Sequence, residues 1–241
     1  MYGMYGYGYG YEFDPTIILV LIGVALSLWA QGRVNSTFSR YSRVRSMTGM
    51  TGAEAARRLL NAQGIYDVTV QPIAGELTDH YDPRTKTVNL SQSVYGATSV
   101  AAIGVAAHEC GHAMQDNEGY APLRFRSALV PAANFGSKLS WPLILLGLVF
   151  GGLGSPLVEI GILMFSLAVL FQLVTLPVEY NASARAVRLL DSQGILAGEE
   201  VSGTRKVLNA AALTYVAAAA TSILQLLRLI ILFGGRNRRD N

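Results

Sequence analysis

Apolar positions in this chain gather in three long blocks, near residues 15–31, 139–178 and 211–233. That pattern predicts membrane-spanning helices rather than the spaced stripes of a water-soluble fold. The first block, Pro15 to Ala30, is nearly uninterrupted, and Phe13 and Gln31 extend it to interfacial depth, which predicts a transmembrane helix over residues 13–32. The second block breaks at Gly151-Gly152-Leu153-Gly154-Ser155-Pro156, so residues 139–178 are expected to form a transmembrane hairpin with a tight outer turn. The third, Ala211 to Phe233, is long enough to span but carries Gln225 and Arg228.

Between the first two blocks the pattern changes to that of an α+β segment. Thr51-Gly52-Ala53-Glu54 fits a capping box, and the helix it opens should end near Gln63, before Gly64. Asp67–Gln71 reads as a strand. Glu76–Tyr81 and Lys86–Leu90 read as a hairpin around Asp82-Pro83-Arg84-Thr85, with Asp and Pro at the first two turn positions. The strand just before the next helix is placed to bind an extended peptide along its edge. That helix should run from about Thr98 to Asp116. Residues 120–138 are expected as a helix along the cytoplasmic membrane face, and a further helix should end at Gln193 before Gly194.

Charge orients these elements. Glu12 and Asp14 precede the first block, and Arg33, Arg40, Arg43 and Arg45 follow it, which puts the N-terminus outside and residue 33 onward in the cytoplasm. Arg236, Arg238 and Arg239 follow the third block, so a span there would carry a basic tail outward, against the rule. A re-entrant helix, or Arg228 turned to a protein partner, would resolve the conflict. The expected organisation is therefore a disordered Tyr/Gly tail (1–12), a transmembrane helix (13–32) and a cytoplasmic catalytic region (33–138). A transmembrane hairpin (139–178), a cytoplasmic helix (179–210), a transmembrane or re-entrant helix (211–233) and a basic tail (234–241) follow. The fold class is mainly α, with about four apolar helices and a small β-sheet.

Only 15% of the 241 residues are charged and mean hydropathy is +0.34, in keeping with an integral membrane protein. The net charge is +3 and no basic stripe alternates with aromatics, so the bilayer is the expected partner and nucleic acid is not. Cys110 is the only cysteine, which rules out an intrachain disulfide.

The chemistry lies in His108-Glu109-Cys110-Gly111-His112, which uses two of the three histidines in the chain. On a helix, residues four apart share a face, so two neutral imidazoles can hold one Zn2+. Glu109 between them can serve as general base for an attacking water. A catalytic zinc takes three protein ligands. His80 lies upstream in the hairpin and no third histidine follows His112 at the extended spacing, so the third ligand is sought among carboxylates. Asp116 and Glu118 are nearest; Glu179, 67 residues after His112, is better placed, because a hairpin brings it back beside the metal helix.

Three stretches carry a resemblance: Val105 to Ala113, Pro122 to Pro131, and Leu173 to Arg185. Together they resemble the YugP-type bacterial membrane zinc metallopeptidases over nearly all of the chain after about residue 13. More distantly the chain is similar to the HtpX-like and CAAX prenyl endopeptidases, which are gluzincin-type enzymes. Those relatives place their third ligand in a Glu-x-x-Ala-Asp motif past a transmembrane hairpin; here the stretch is Glu179-Tyr180-Asn181-Ala182-Ser183. The resemblance implies a zincin-like domain, Zn2+ held by His108, His112 and Glu179, Glu109 as catalytic base, and polypeptide substrates that include membrane proteins. It implies a multi-pass cell-membrane protein with a cytoplasmic active site. Ser183 departs from the distant pattern, which has Asp there, and Ser183 or Asn181 is the expected substitute. For the oxyanion donor the candidates are His80, Tyr81, Tyr180 and Arg185. The alternative to a peptidase is a weak or inactive zinc-binding membrane module that binds other membrane proteins. A metal transporter would need more ionisable residues within its spans than Glu159 and Arg228.

Overall fold

The computed structural model describes residues 14–153 and 155–234. The expected Tyr/Gly tail, Phe13 and residues 235–241 of the basic tail lie outside the described residues. The elements in order are α1 (Ile17–Ser42), α2 (Gly52–Ala62), β1 (Thr69–Ile73), β2 (His80–Asp82), β3 (Thr87–Ser91), α3 (Gln92–Tyr95), α4 (Val100–Asn117), α5 (Ala121–Gly151), α6 (Pro156–Ser192) and α7 (Glu199–Phe233). Among the described residues, α1, α5, α6 and α7 are long and apolar enough to cross a membrane. Their outer surfaces carry exposed large apolar side chains such as Leu28, Trp29, Phe150, Leu163 and Ile231. A surface of that kind is stable against lipid and costly against water.

α5 and α6 form the expected hairpin, but the helices run on beyond it. α5 is continuous from Ala121, through Pro131 and Pro142. Residues 120–138 are thus the first turns of the same helix rather than a separate helix along the membrane face. Residues 179–210 are likewise not one helix: they comprise the end of α6, a turn at Gly194 and Gly198, both with positive φ, and the start of α7. The local pattern marked where the apolar blocks ended, whereas the helical hydrogen bonding continues into polar sequence.

α7 packs against α1 along its length. Thr221 Oγ1 donates to the Gly23 carbonyl at 3.1 Å, and a Cβ at Gly23 would sit 2.8 Å from Thr221 Cγ2. Farther along, Arg228 Nη2 meets Asp14 Oδ2 at 2.8 Å and its Nε donates to Thr16 Oγ1 at 3.2 Å. The cation inside the apolar block is therefore met within the chain, by the acid that precedes α1. Since α7 is one unbroken helix, it contains no re-entrant turn.

The polar part of the chain is built onto these extensions. Thr51 caps α2 as its spacing predicts: its Oγ1 accepts from the Glu54 N–H, and the Glu54 carboxylate accepts from the Thr51 N–H. The sheet order is β1-β3-β2, with β1 parallel and β2 antiparallel to β3. β3 is fully buried at the centre. The strand expected to offer its edge to a peptide therefore has both edges taken, and β2 is the edge strand on the side of α4. The core joins Leu59 and Leu60 of α2, Val88 and Leu90 of β3, Ile103 and Cys110 of α4 and Leu190 of α6. Each fully buried Leu here contributes about 1.5–3 kcal/mol. The polar region is thus closed by the ends of α6 and α7, not by residues 33–138 alone.

Small residues let α4 approach α6. Ala101, Ala102, Ala106 and Ala107 are all buried. Gly111 sits where a Cβ would lie 2.6 Å from the Ala182 carbonyl oxygen, so no other residue fits between the two histidines without parting the helices. This close crossing puts the His108/His112 face against Glu179.

Candidate metal centre

α4 presents His108 and His112 from consecutive turns, and α6 presents Glu179 opposite them. Glu179 Oε2 lies 3.2 Å from His108 Nε2 and 3.5 Å from His112 Nε2. One ligand atom from each of the three residues falls within 4.8 Å of the other two. The Glu179 side chain is 3% exposed, so a lone carboxylate there would carry a heavy desolvation cost. Its second oxygen, Oε1, faces Arg126 Nη1 at 3.4 Å. The two oxygens thus have separate partners, one turned to the histidines and one to a cation.

Hydrogen bonding fixes how the imidazoles present themselves. Gln115 Nε2 donates to the Val178 carbonyl at 2.9 Å and to Asn181 Oδ1 at 3.0 Å. Both partners are acceptors, so the amide orientation is set, and Gln115 Oε1 must accept. It does so from His112 Nδ1 at 3.0 Å. His112 Nδ1 therefore carries the proton, and its Nε2 lone pair points at Glu179 Oε2. On His108, Nδ1 lies 3.1 Å from Ser183 Oγ, leaving Nε2 turned to the same carboxylate oxygen.

Two nitrogen lone pairs and a carboxylate oxygen converging in a buried space need a cation between them. Burial alone pulls the His112 pKa down, but the hydrogen bond to Glu179 and the charges of Glu109 and Glu179 outweigh it and leave it raised. Two imidazole nitrogens and one carboxylate, each with its other polar atom held, are the donor set and support that Zn2+ takes. Ser183→Ala should lower zinc affinity about tenfold, by freeing the His108 ring; zinc-chelator competition measures it, and unchanged affinity would remove Ser183 from the support.

Glu109 stands beside this set. Its Oε2 accepts the Tyr81 backbone N–H at 3.0 Å, so edge strand β2 holds the carboxylate in place. Asp116 and Glu118, the other carboxylate candidates, are engaged elsewhere. Asp116 Oδ2 takes the Tyr81 hydroxyl at 2.8 Å and Lys86 Nζ at 2.9 Å, pinning the β2–β3 hairpin to the end of α4. Glu118 is bound by Arg185 at 2.6 Å. Cys110 points away, with its thiol on the Ala56 carbonyl, and burial pushes its pKa up.

Two cavities flank the donors. One, of about 350 Å³, is lined by Gln31 and Val34 of α1, Val105, and Leu208 and Ala211 of α7. The other, of about 280 Å³, is lined by His80, Tyr81, Pro83, Arg126 and Val130. Both are bordered by His108, Glu109, Glu179, Asp79 and Tyr215.

Of the four oxyanion candidates, the structure brings two to the site. His80 Nδ1 donates to the Thr78 carbonyl at 2.8 Å while its Nε2 receives Asn89 Nδ2 at 3.3 Å, so its proton is committed. The Tyr81 hydroxyl is committed to Asp116; burial first, and then Asp116, push its pKa up. Tyr180 and Arg185 line neither cavity. Two residues beside Glu179 escaped the sequence reading, Arg126 and Tyr215. Tyr215 is the only tyrosine in the third apolar block, which is a faint signal; for Arg126 nothing local points to the site.

A family profile described as "Putative neutral zinc metallopeptidase" matches residues 16–234. The chain is 49% identical over 224 residues to a protein of Bacillus subtilis (strain 168) described as "Putative membrane protease YugP", covering 93% of this chain and 98% of that one. No solved structure matches it.

Proposed function

The chain belongs to the family described as "Putative neutral zinc metallopeptidase", and from that membership we propose that it is a membrane-embedded, zinc-dependent endopeptidase whose active site faces the cytoplasm. The observation that carries this reading is the convergence of His108 Nε2, His112 Nε2 and Glu179 Oε2 in a buried space beside Glu109. The gluzincin pattern, two histidines on one helix with a glutamate from a later one, is the assignment that fits these residues.

Zinc held there supplies a Lewis acid that polarises the scissile carbonyl and brings the pKa of water toward about 7. Glu109, aimed by the Tyr81 N–H, takes the proton from the attacking water and passes it to the leaving amine. His108 and His112 keep their Nδ1 protons on Ser183 and Gln115 and so hold their rings in register. Arg126 balances the charge of Glu179. An extended substrate fits along the β2 edge, crossing between the two cavities. The cavity lined by α1 and α7 suits an apolar residue, which favours polypeptides cut close to the membrane.

Tyr215 is assigned here to the oxyanion, since it borders both cavities and comes from a packed helix. Tyr215→Phe should lower kcat about 100-fold in fully zinc-loaded enzyme with KM little changed, and, since the same hydroxyl bonds Glu179, it should also weaken zinc binding about tenfold. A variant with unaltered kcat would return the role to His80 or Tyr81.

Supporting membrane embedding are the four apolar helices and the description of the relative as a membrane protease. Ser183, the departure that favours a non-catalytic module, places its hydroxyl oxygen to accept the His108 Nδ1–H where a carboxylate was expected. Purified protein in lipid nanodiscs should cleave a test polypeptide, lose that activity to a zinc chelator and regain it with zinc. A chain that binds zinc stoichiometrically but cleaves nothing across a set of soluble and membrane-anchored polypeptides would favour the non-catalytic module.

A further inference from the structure

Away from the metal centre, the chain has a cavity of about 720 Å³ between α1, α6 and α7. Its wall on α1 is Arg33, Ser36, Thr37 and Arg40, with spacings of three, one and three residues. Those spacings put all four on one helix face, and Arg33 and Arg40, seven residues apart, are nearly superimposed about 10.5 Å apart along the axis. α7 adds Lys206 and Asn209, and α6 adds Tyr180. Three cations from two helices therefore converge on one concavity, with hydroxyls between them. No acid lines it. Nor does Arg33, Arg40 or Lys206 form an ion pair with a carboxylate among the described residues. An adjoining cavity that shares Tyr180 and Asn209 with it holds Asp191 together with Arg188 and Arg205.

Depth decides what such a cavity meets. The apolar run of α1 ends at Ala30. Arg33 lies about 4.5 Å beyond it and Arg40 about 15 Å beyond. The headgroup layer on each side of a bilayer is roughly 5–8 Å thick, so a lipid phosphate would sit between those two guanidiniums. Tyr41 and Tyr180 also border the cavity, and an aromatic with a polar tip suits that layer.

We propose that this cavity binds a phosphate ester, the headgroup phosphate of an anionic phospholipid in the leaflet on the catalytic side, held by Arg33, Arg40 and Lys206. The bound lipid ties α1 to α7 at the end of the bundle where Tyr180 follows Glu179 directly in α6. Headgroup contact thereby braces the helices that carry the metal donors. The site does not depend on zinc or on peptide hydrolysis, and its test reads neither.

The full chain should be purified, reconstituted at low occupancy into nanodiscs of phosphatidylcholine with a minor fraction of phosphatidylglycerol, and its retained lipid counted by native mass spectrometry after release. Wild-type protein should retain phosphatidylglycerol preferentially. Arg33→Gln/Arg40→Gln/Lys206→Gln should lose that preference about tenfold or more, whereas Arg43→Gln/Arg45→Gln/Arg84→Gln, with the same net charge and all three changes outside the cavity, should keep it. Circular dichroism and melting of both variants confirm folding before lipids are compared. Equal loss in the two variants would reduce the effect to bulk charge and overturn the site. A parallel arm titrates inorganic phosphate into lipid-free detergent solution: cavity-dependent saturation below millimolar phosphate would assign the site to a soluble phosphate and overturn the lipid assignment, and no such saturation is expected.

Discussion

Glu109→Gln is expected to leave zinc bound and to lower peptide hydrolysis by about 10³-fold or more. The amide keeps the shape of the side chain, and its oxygen can still accept the Tyr81 N–H that holds Glu109 at 3.0 Å. What it loses is the ability to take a proton, and general-base catalysis accounts for about 10²–10⁴-fold in enzymes of many kinds. The ligand atoms of His108, His112 and Glu179 are untouched. Paired metal analysis and initial-rate measurements on the wild type and the variant separate the two effects. A variant that retains near-normal kcat would remove Glu109 from the proton pathway.

Glu179→Gln should act on the metal instead. It replaces an anionic oxygen that faces both imidazoles with a neutral amide, and it leaves Arg126 without the carboxylate 3.4 Å away. Loss of a supporting hydrogen bond around a metal ligand costs about 10–100-fold in affinity. Loss of a ligand in a buried site, with a cation stranded beside it, should exceed that range, so the purified variant should carry little zinc. Chelator competition gives the affinity. If Glu179→Gln retained wild-type affinity, the third ligand would have to be sought elsewhere, although Asp116 and Glu118 are bound to Lys86 and Arg185.

Features that rest on neighbouring residues were legible in the sequence. The Thr51/Glu54 box, the Asp82-Pro83 turn and the four-residue spacing of His108 and His112 each act within one or two turns of chain, and each appears in the structure. Gln115 was equally accessible, since it lies three residues after His112 on the same helix face, yet its role appears only when Val178 and Asn181 orient its amide. Features set by distant packing could not be read. Arg228 looked like an obstacle to a span because its partner, Asp14, lies 214 residues away. The centrality of β3 depends on β1 passing beside it in parallel, which no local alternation encodes. Arg126 reaches Glu179 only because α5 begins well before its apolar block, and Tyr215, inside the third block, only because α7 packs against α6. Ser183 shows the reverse limit: as a missing carboxylate it suggested a weakened site, whereas in space its hydroxyl meets His108 Nδ1.

The proposed function requires one zinc between α4 and α6, held by two imidazoles and one carboxylate. Zinc-edge X-ray absorption on the purified full chain in nanodiscs tests it most directly. The expected result is about one zinc per chain, with two nitrogen neighbours at roughly 2.0–2.1 Å that show imidazole scattering, the remaining ligands oxygen and no sulfur. A sulfur neighbour near about 2.3 Å, which only Cys110 or a methionine could supply within the chain, or a chain that binds no zinc at stoichiometric concentration, would contradict it.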